Sequence, residues 1–277
     1  MSFRTYHDVV GADRSDLGAQ VRAQRARVSR RLASVKRVVA VMSGKGGVGK
    51  SYVTSLIALE ASHLHNLTVG VVDADLRSPT VARLLQAKGP LQVREDGVVP
   101  ARGEADVRVV STDLLLDESQ PLRWHEPRGD EFIWRGALEA NTLREFLSDV
   151  VWEALDLLLV DLPPGADGVS DLKALVPDLH GAIAVTIPSD ESRRSVSRTM
   201  TSARESGVSL LGVVENMSGY WCRDCGETRP LFPGNAGYAL ADAFDIPLLG
   251  HLRFVPPGDT NAASSNEVTA RCLDAIL

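Results

Sequence analysis

The chain has 277 residues, of which 44% are hydrophobic and 24% are charged. This length and composition allow one large core in one or two domains, and they exclude collagen, coiled coil and general disorder. No apolar run reaches about 18 residues, so we expect no membrane span. The first ten residues, MSFRTYHDVV, contain no apolar signal core, and we therefore expect a cytoplasmic protein.

The net charge of −6 conceals a basic beginning, because the first 40 residues hold nine Lys and Arg against three Asp. The acidic excess therefore lies in the rest of the chain, which argues against a general nucleic-acid binder. Apolar residues recur at helical spacing in this segment, so residues 1–36 are predicted to form a basic helical arm. A solvated helix packed on the main domain and a docking arm for a partner both stay open. The apolar residues are Leu17, Val21, Val28, Leu32 and Val35.

Residues 37–277 alternate short apolar runs with helical segments. Several of these runs are almost wholly apolar, which suits strands buried on both faces, and the alternation predicts a doubly wound α/β fold with a mostly parallel sheet. The predicted strands are Arg37–Met42, Thr68–Asp73, Val107–Ser111, Asp156–Asp161, Gly181–Ile187 and Ser209–Glu215. The predicted helices, which would cover both faces, are Gly49–His65, Ala137–Ala154, Ser189–Ser206 and Asn235–Phe244. The stretch Gly89–Gly136 is irregular, and we expect inserted loops and short strands there.

One glycine-rich loop gives the strongest local signal. Residues 44–51 read GKGGVGKS, which fits G-x-x-x-x-G-K-[ST] between an apolar strand and a helix. Glycines let the backbone wrap around phosphate, and successive N–H groups with the helix N-terminus attract the anion. We expect Lys50 to reach the β- and γ-phosphates and the Ser51 hydroxyl to ligate Mg²⁺. The candidate nucleotide-binding residues are Gly44, Lys45, Gly46, Gly47, Val48, Gly49, Lys50, Ser51 and Tyr52.

Lys45 is a second lysine near the start of this loop. One interpretation is a solvated side chain, because the phosphate cradle does not need it. The other is a cation donated across a dimer interface onto the partner's nucleotide. There it would stabilise the charge that develops during phosphoryl transfer, as an arginine finger does.

Carboxylates end two of the predicted strands, at the sheet edge where ligands of open α/β sheets collect. Asp73 and Asp75 end one strand, and Asp161 ends the apolar run LDLLLVD. Asp161 fits a Walker B role in which it holds Mg²⁺ through water. Gly165 would supply an N–H group to the γ-phosphate and couple its loop to the nucleotide. Each aspartate alone also fits a strand-end cap, but together with the loop they predict one site.

Cys222 and Cys225 form a C-x-x-C motif. A tetrahedral Zn²⁺ or a 4Fe-4S cluster needs about four ligands, which two copies of the chain would supply. The count favours a metal centre that bridges a symmetric dimer, in a metal-binding segment at residues 216–230. A thioredoxin-like redox pair and structural thiols also stay open, and the pair does not decide between iron–sulfur and zinc. Cys272 is predicted to pack in a core, and the histidines that complete no ligand set are His63, His65, His180 and His251.

Four further strings follow the loop in order: DADLRSPT, FIWRGALEANTLREFLSDVVW, LLLVDLPPGADGVSD and GVVENMSGYWCRDCGE. With GKGGVGKS they resemble the Mrp/ApbC family of ATP-binding iron–sulfur cluster carriers. The loop itself is similar to the deviant Walker A of the wider MinD/ParA/nitrogenase-iron-protein class of dimeric ATPases. The resemblance runs from about Val38 to Leu252, which is most of the chain.

For the nucleotide, the resemblance implies ATP and Mg²⁺ as ligands and slow hydrolysis coupled to cluster transfer. It implies that Lys45 acts across the dimer, while Gly46–Ser51 cradle the phosphates. It also implies that Asp75 helps position the attacking water, that Asp161 supports Mg²⁺ and that Asn216 reads the adenine edge.

For the cysteines, the resemblance implies that Cys222 and Cys225 bind a 4Fe-4S cluster, with Zn²⁺ as the other metal that the pair would fit. The implied activity is that of a homodimeric carrier that transfers its cluster to recipient apo iron–sulfur proteins. Two other functions stay open. One is a MinD/ParA-type positioning ATPase, which the basic arm favours. The C-terminus NEVTARCLDAIL argues against it, because it lacks a basic amphipathic helix that would bind a membrane. The other is an ATP-dependent reductase component that donates electrons.

The sequence departs from the family at several positions. Tyr52 stands where a threonine hydroxyl usually holds the α-phosphate, so that contact is in doubt. DLPPGADGVSD replaces the usual DxPPGTGD, and Arg135-Gly136-Ala137-Leu138 replaces RGPM. HLRFVPPGDTNAASS is only loosely similar to the family's segment. We expect these changes to slow hydrolysis or alter substrate choice without abolishing nucleotide binding.

Overall fold

The computed structural model describes residues 17–76, 78–115, 142–222, 225–254 and 265–277. The predictions for residues 1–16, for Arg135–Leu138 and for the start of the helix Ala137–Ala154 lie outside this part of the chain. The described part contains an eight-stranded sheet with the order β12-β9-β8-β1-β7-β2-β6-β5. Each pair of neighbouring strands runs parallel except β5 and β6. The predicted fold, a doubly wound and mostly parallel sheet, is therefore confirmed.

Each strand that was predicted from the sequence begins and ends close to its predicted bounds. The sheet strands are β1 (Val38–Met42), β2 (Val69–Asp73), β5 (Ala101–Arg102), β6 (Arg108–Val110), β7 (Leu157–Asp161), β8 (Gly181–Thr186), β9 (Leu210–Glu215) and β12 (Leu248–His251). Two separate hairpins are formed by β3 (Gln92–Arg94) with β4 (Gly97–Val99) and by β10 (Tyr220–Trp221) with β11 (Thr228–Arg229). The first hairpin lies in the stretch that was expected to contain short strands.

Helices cover both faces of the sheet. They are α1 (Leu17–Leu32), α2 (Lys50–His63), α3 (Val81–Leu84), α4 (142–149), α5 (Asp167–Leu175), α6 (Asp190–Glu205), α7 (Ala236–Phe244) and α8 (Ser265–Ile276). Short 3₁₀ turns lie at Glu104–Asp106 and Thr112–Leu114. No helix in the described ranges is both long and apolar enough to cross a membrane.

Two hydrophobic cores lie on opposite sides of the sheet because its central strands are buried at every position. One core takes residues from α1, α4, α5, α6 and α7. It includes Val28 and Leu32 of α1, so this helix packs on the main body. The other core takes residues from α2, α3 and α8 and contains Cys272, which is fully buried as predicted.

The topology brings the carboxyl ends of β1, β7 and β2 side by side. Asp73 and Asp161 are register partners at the last position of β2 and β7. The glycine-rich loop leaves β1, the strand on the other side of β7. The predicted phosphate loop and the predicted carboxylates therefore share one edge of the sheet, where open α/β sheets bind ligands.

Candidate nucleotide site and cysteine hairpin

The glycine-rich loop connects β1 to α2 and is held by close contacts. Gly49 precedes α2 with φ 82°, a left-handed conformation that favours glycine. A Cβ atom at Gly49 would lie 2.1 Å from Nδ2 of Asn216. At the other end of the loop, Ser195 of α6 donates its hydroxyl to the Gly44 carbonyl at 2.6 Å. Both ends of the loop are therefore fixed before any ligand binds.

Lys50, Ser51 and Asp161 meet beneath this loop. Ser51 Oγ donates to Asp161 Oδ2 at 2.6 Å, and Thr54 Oγ1 donates to Asp161 Oδ1 at 2.8 Å. Lys50 Nζ lies 2.8 Å from Oδ2 as a close ion pair, yet it is aligned for a hydrogen bond with none of the described residues. A buried ammonium with unused donors is suited to an incoming phosphate.

The oxygen donors of this cluster also fit Mg²⁺. A hydroxyl and a carboxylate are ligands of the kind that Mg²⁺ prefers, usually alongside water and nucleotide phosphates. Ser51 and Asp161 already lie in contact at the mouth of the phosphate loop. They are the residues that would hold the ion, which would neutralise charge on the phosphates.

Asp73 differs from its register partner Asp161 in its role. Its carboxylate accepts hydrogen bonds from the Thr80 and Val81 N–H groups at 3.0 and 3.1 Å and from Ser111 Oγ at 3.1 Å. Burial, followed by the charge of Asp161, raises the pKa of Asp73 to about 7. These bonds hold the start of α3, so Asp73 supports the loop that carries Asp75.

The site opens into a cavity of about 1210 Å³. The half-buried Lys45, the carboxylate-bearing Asp75, and Gly165 all line it, so the structure brings these predicted residues together. Gly165 has its N–H group 2.9 Å from the Ser43 carbonyl. A contact with a γ-phosphate would require that bond to be exchanged. Tyr52 also lines the cavity, with 37% of its surface exposed and its pKa raised by burial.

Asn216 lies at the end of β9 and is 3% exposed. Its Nδ2 donates to the Val48 carbonyl at 2.9 Å, so the side chain supports the phosphate loop from below. No local sequence pattern indicates this contact, because the two residues are 168 positions apart. Thr54 and Ser195 were also missed. Of these, Thr54 alone had a local signal, since it lies one helical turn after Lys50.

The cysteines lie in the hairpin of β10 and β11, away from the phosphate loop in sequence. Cys222 is half-buried and Cys225 is exposed. The Cys222 N–H group donates to the Glu227 carbonyl, and the Gly226 N–H group donates to the Cys222 carbonyl, both at 2.9 Å. No group of three or more His, Cys, Asp or Glu that could hold a metal gathers within the described ranges. Within these ranges the two thiols are fewer than the four or so ligands that a tetrahedral Zn²⁺ or a 4Fe-4S cluster needs.

The fold and the phosphate loop define a P-loop nucleotide-binding protein of the MinD/ParA type. The cell division ATPase MinD of Pyrococcus furiosus superposes with a TM-score of 0.57 at 18% identity, covering 86% of this chain and 99% of MinD, which shows the shared fold. A nucleotide-binding protein from Archaeoglobus fulgidus, solved in complex with ADP, is more similar. It has a TM-score of 0.67 and 30% identity, covering 89% of this chain and 92% of that one.

Within that class the family is defined by sequence. The family model of the NUBPL iron-transfer P-loop NTPases matches residues 34–274, and the chain belongs to this family. An iron-sulfur cluster carrier protein of Saccharolobus solfataricus is 36% identical over 258 residues, covering 92% of this chain and 82% of the relative. The cytosolic Fe-S cluster assembly factor CFD1 of Chaetomium globosum is 37% identical over 243 residues, covering 81% and 76%. The resemblance seen in the motifs is thereby confirmed.

Proposed function

We propose that the protein is a homodimeric ATPase that carries a 4Fe-4S cluster and transfers it to recipient apo iron–sulfur proteins in the cytoplasm. One observation carries this proposal: a single chain of an iron-transfer family contains both a phosphate loop and a pair of thiols that is too small to hold a cluster by itself. The relatives named as cluster carrier and as cytosolic assembly factor support the cargo and the compartment.

In the nucleotide site, Lys50 exchanges its ion pair with Asp161 for the β- and γ-phosphates of ATP. Ser51 and Asp161 would hold Mg²⁺, which would supply positive charge at the phosphates, and Asp75 orients the attacking water. Lys45 of the second copy adds positive charge as the terminal phosphoryl group leaves. Two observations support these roles. The Lys50 ammonium has unused hydrogen-bond donors, and Lys45, Lys50, Ser51 and Asp75 line the same cavity.

ATP acts mainly as a conformational controller. Gly165 exchanges its bond to the Ser43 carbonyl for the γ-phosphate, which moves the loop ahead of α5. At the other centre, Cys222 and Cys225 of each copy supply two thiolates, so four hold the cluster at the dimer boundary. A cluster shared between two identical chains is released when those chains rearrange.

Anaerobic reconstitution with iron and sulfide tests this proposal. The wild-type protein should give a brown dimer with about four irons per dimer. Ultraviolet–visible and Mössbauer spectroscopy identify the cluster, and light scattering measures the oligomeric state. Cys222→Ala and Cys225→Ser should lose the iron, whereas Cys272→Ala, a buried cysteine outside the hairpin, should keep it. A colourless protein, a monomer under all nucleotide conditions, retained zinc without iron, or unchanged iron in Cys222→Ala would each contradict the proposal.

A further inference from the structure

Asn216 stands between the two centres of the protein. Its buried side chain donates to the Val48 carbonyl of the phosphate loop at 2.9 Å. Its own N–H group donates to the Thr186 carbonyl at 2.8 Å, which anchors the residue at the carboxyl edge of the sheet. The cysteine hairpin begins only four residues later, at Tyr220.

The segment between Asn216 and the hairpin is bonded along its length. Met217 takes a left-handed conformation with φ 54°. Ser218 donates both its N–H group and its hydroxyl to the Leu252 carbonyl, at 2.9 and 3.0 Å. The Gly219 carbonyl accepts the Phe254 N–H group at 2.7 Å. A segment bonded at both Ser218 and Gly219 transmits a displacement instead of absorbing it.

The cysteine hairpin also contacts the segment that follows β12, to which Ser218 and Gly219 are bonded. Arg253 donates to Thr228 Oγ1 at 3.2 Å. Its guanidinium also lies over the Trp221 ring, 5.9 Å from the ring centre. Trp221 directly precedes Cys222, so the cysteines are tied to the segment after β12 as well as to Asn216.

At the phosphate loop, the contact leaves little free space. The amide nitrogen of Asn216 occupies the position that a side chain at Gly49 would need. Val48 and Gly49 belong to the loop that wraps the phosphates, so a loop that tightens around ATP must carry the amide with it or break the bond to Val48. Either response changes the position of Asn216 and of the segment bonded to it.

We propose that Asn216 is a positioning residue that couples the phosphate loop to the cysteine hairpin, so that nucleotide binding changes how firmly the cluster is held. This inference rests on the proposed function as a cluster carrier. By reciprocity, a loaded cluster changes the affinity for ATP by the same factor as ATP changes the affinity for the cluster.

The test compares the rate at which a ferrous chelator withdraws iron from the reconstituted protein without nucleotide and at saturating Mg²⁺-ATP. Saturation is established for each variant by titration with a fluorescent ATP analogue. We expect a severalfold change of rate in the wild type and a ratio near one in Asn216→Ala. Asn216→Asp, which keeps the shape and loses the donor, should behave in the same way and replaces the alanine variant if that one does not fold.

Ser195→Ala is the matched control. It removes another side-chain bond to a carbonyl of the phosphate loop, but from α6, which does not lead to the hairpin. It should keep the wild-type ratio. A wild type that holds no cluster would count against the proposed function, whereas a wild type that holds a cluster but shows no response to ATP would overturn the coupling. A responsive wild type together with an equally responsive Asn216→Ala would overturn the coupling role, and so would an Asn216→Ala protein that binds no ATP at any concentration.

Discussion

Lys50 and Asp161 form a buried ion pair, with Nζ 2.8 Å from Oδ2 and side-chain exposures of 6% and 0%. The same carboxylate accepts hydrogen bonds from Ser51 and Thr54, so one group at the end of β7 organises the start of α2. Each charge compensates the other at a position where both side chains are buried. Removing one of them leaves the other buried without its opposite charge, which costs more than the pair itself contributes.

This pair should give strong coupling in a double-mutant cycle. Lys50→Met and Asp161→Asn should each lower the free energy of unfolding of the nucleotide-free protein by about 3–5 kcal/mol. The double variant should lose much less than the sum, as measured by urea unfolding. The exposed pair of Arg271 and Glu267 is the control, and its substitution should cost at most about 0.5 kcal/mol. Additive losses at Lys50 and Asp161 would contradict the interpretation.

Two glycines of the same loop should respond differently to alanine. Gly49 has positive φ and no room for a Cβ atom, whereas a Cβ at Gly46 meets nothing within 4 Å. Gly49→Ala should therefore destabilise the nucleotide-free protein by about 2 kcal/mol or more, through backbone strain and overpacking. Gly46→Ala should leave that stability nearly unchanged. Thermal unfolding without nucleotide measures both, and equal midpoints for the two variants would show that the packing around Gly49 relaxes freely.

Local patterns were sufficient for much of the fold. The strands β1, β2, β7, β8 and β9 are mostly apolar and mostly buried, with a polar residue only at the end of a strand, so their positions could be predicted without knowing their neighbours. The helix α5 was missed because it follows a proline-rich loop and has a glycine, Gly168, at its second position. The strand β12 was missed because its four residues include Gly250 and His251. Strand order could not be read at all, since it depends on crossovers.

The residues of the candidate site likewise fall into those that local sequence patterns predict and those that they do not. The phosphate loop and Asp161 were predictable because local spacing carries their chemistry. The contacts of Asn216 with Val48 and of Ser195 with Gly44 join residues 168 and 151 positions apart. They exist because β9 and α6 are folded against the loop, and no local pattern encodes that approach. Sequence could therefore identify the groups that are proposed to touch phosphate but not the groups that hold the loop.

Lys45 should affect hydrolysis far more than binding. Its half-buried side chain lines the cavity, and its proposed target is the nucleotide of the second copy. Lys45→Ala should lower the rate of ATP hydrolysis by about a hundredfold or more, since it removes charge stabilisation that matters in the transition state. The measurement is steady-state phosphate release beside equilibrium binding of a fluorescent ATP analogue. A parallel loss of affinity would place Lys45 in the cradle of its own chain instead.

Tyr52 should limit nucleotide binding. It occupies the position where family members usually have threonine, and its ring lines the cavity with 37% of its surface exposed. Tyr52→Thr should tighten ATP severalfold, because a hydroxyl near the backbone reaches the α-phosphate and one such hydrogen bond contributes about 1 kcal/mol. Tyr52→Phe is the control and should bind as the wild type does. Weaker binding by the threonine variant would show that the ring itself contacts the nucleotide.

Asp156 should make the fold sensitive to acid. It accepts hydrogen bonds from Lys36 Nζ at 2.6 Å and from the N–H group and hydroxyl of Thr68 at 2.9 and 2.8 Å. The Lys36 bond, followed by those from Thr68, lowers the pKa of Asp156 from 3.8 to about 2. A depressed pKa means that the stabilisation is present above about pH 4 and is lost as the pH falls towards 2.

The test at Asp156 is the difference in unfolding free energy between Asp156→Asn and the wild type. That difference should be constant from pH 5 to 7 and should shrink between about pH 4 and pH 2, because protonation removes in the wild type what the substitution has already removed. Taking differences cancels the other titrating groups. A difference that stays constant down to pH 2 would mean that the bonds of Asp156 do not depend on its charge.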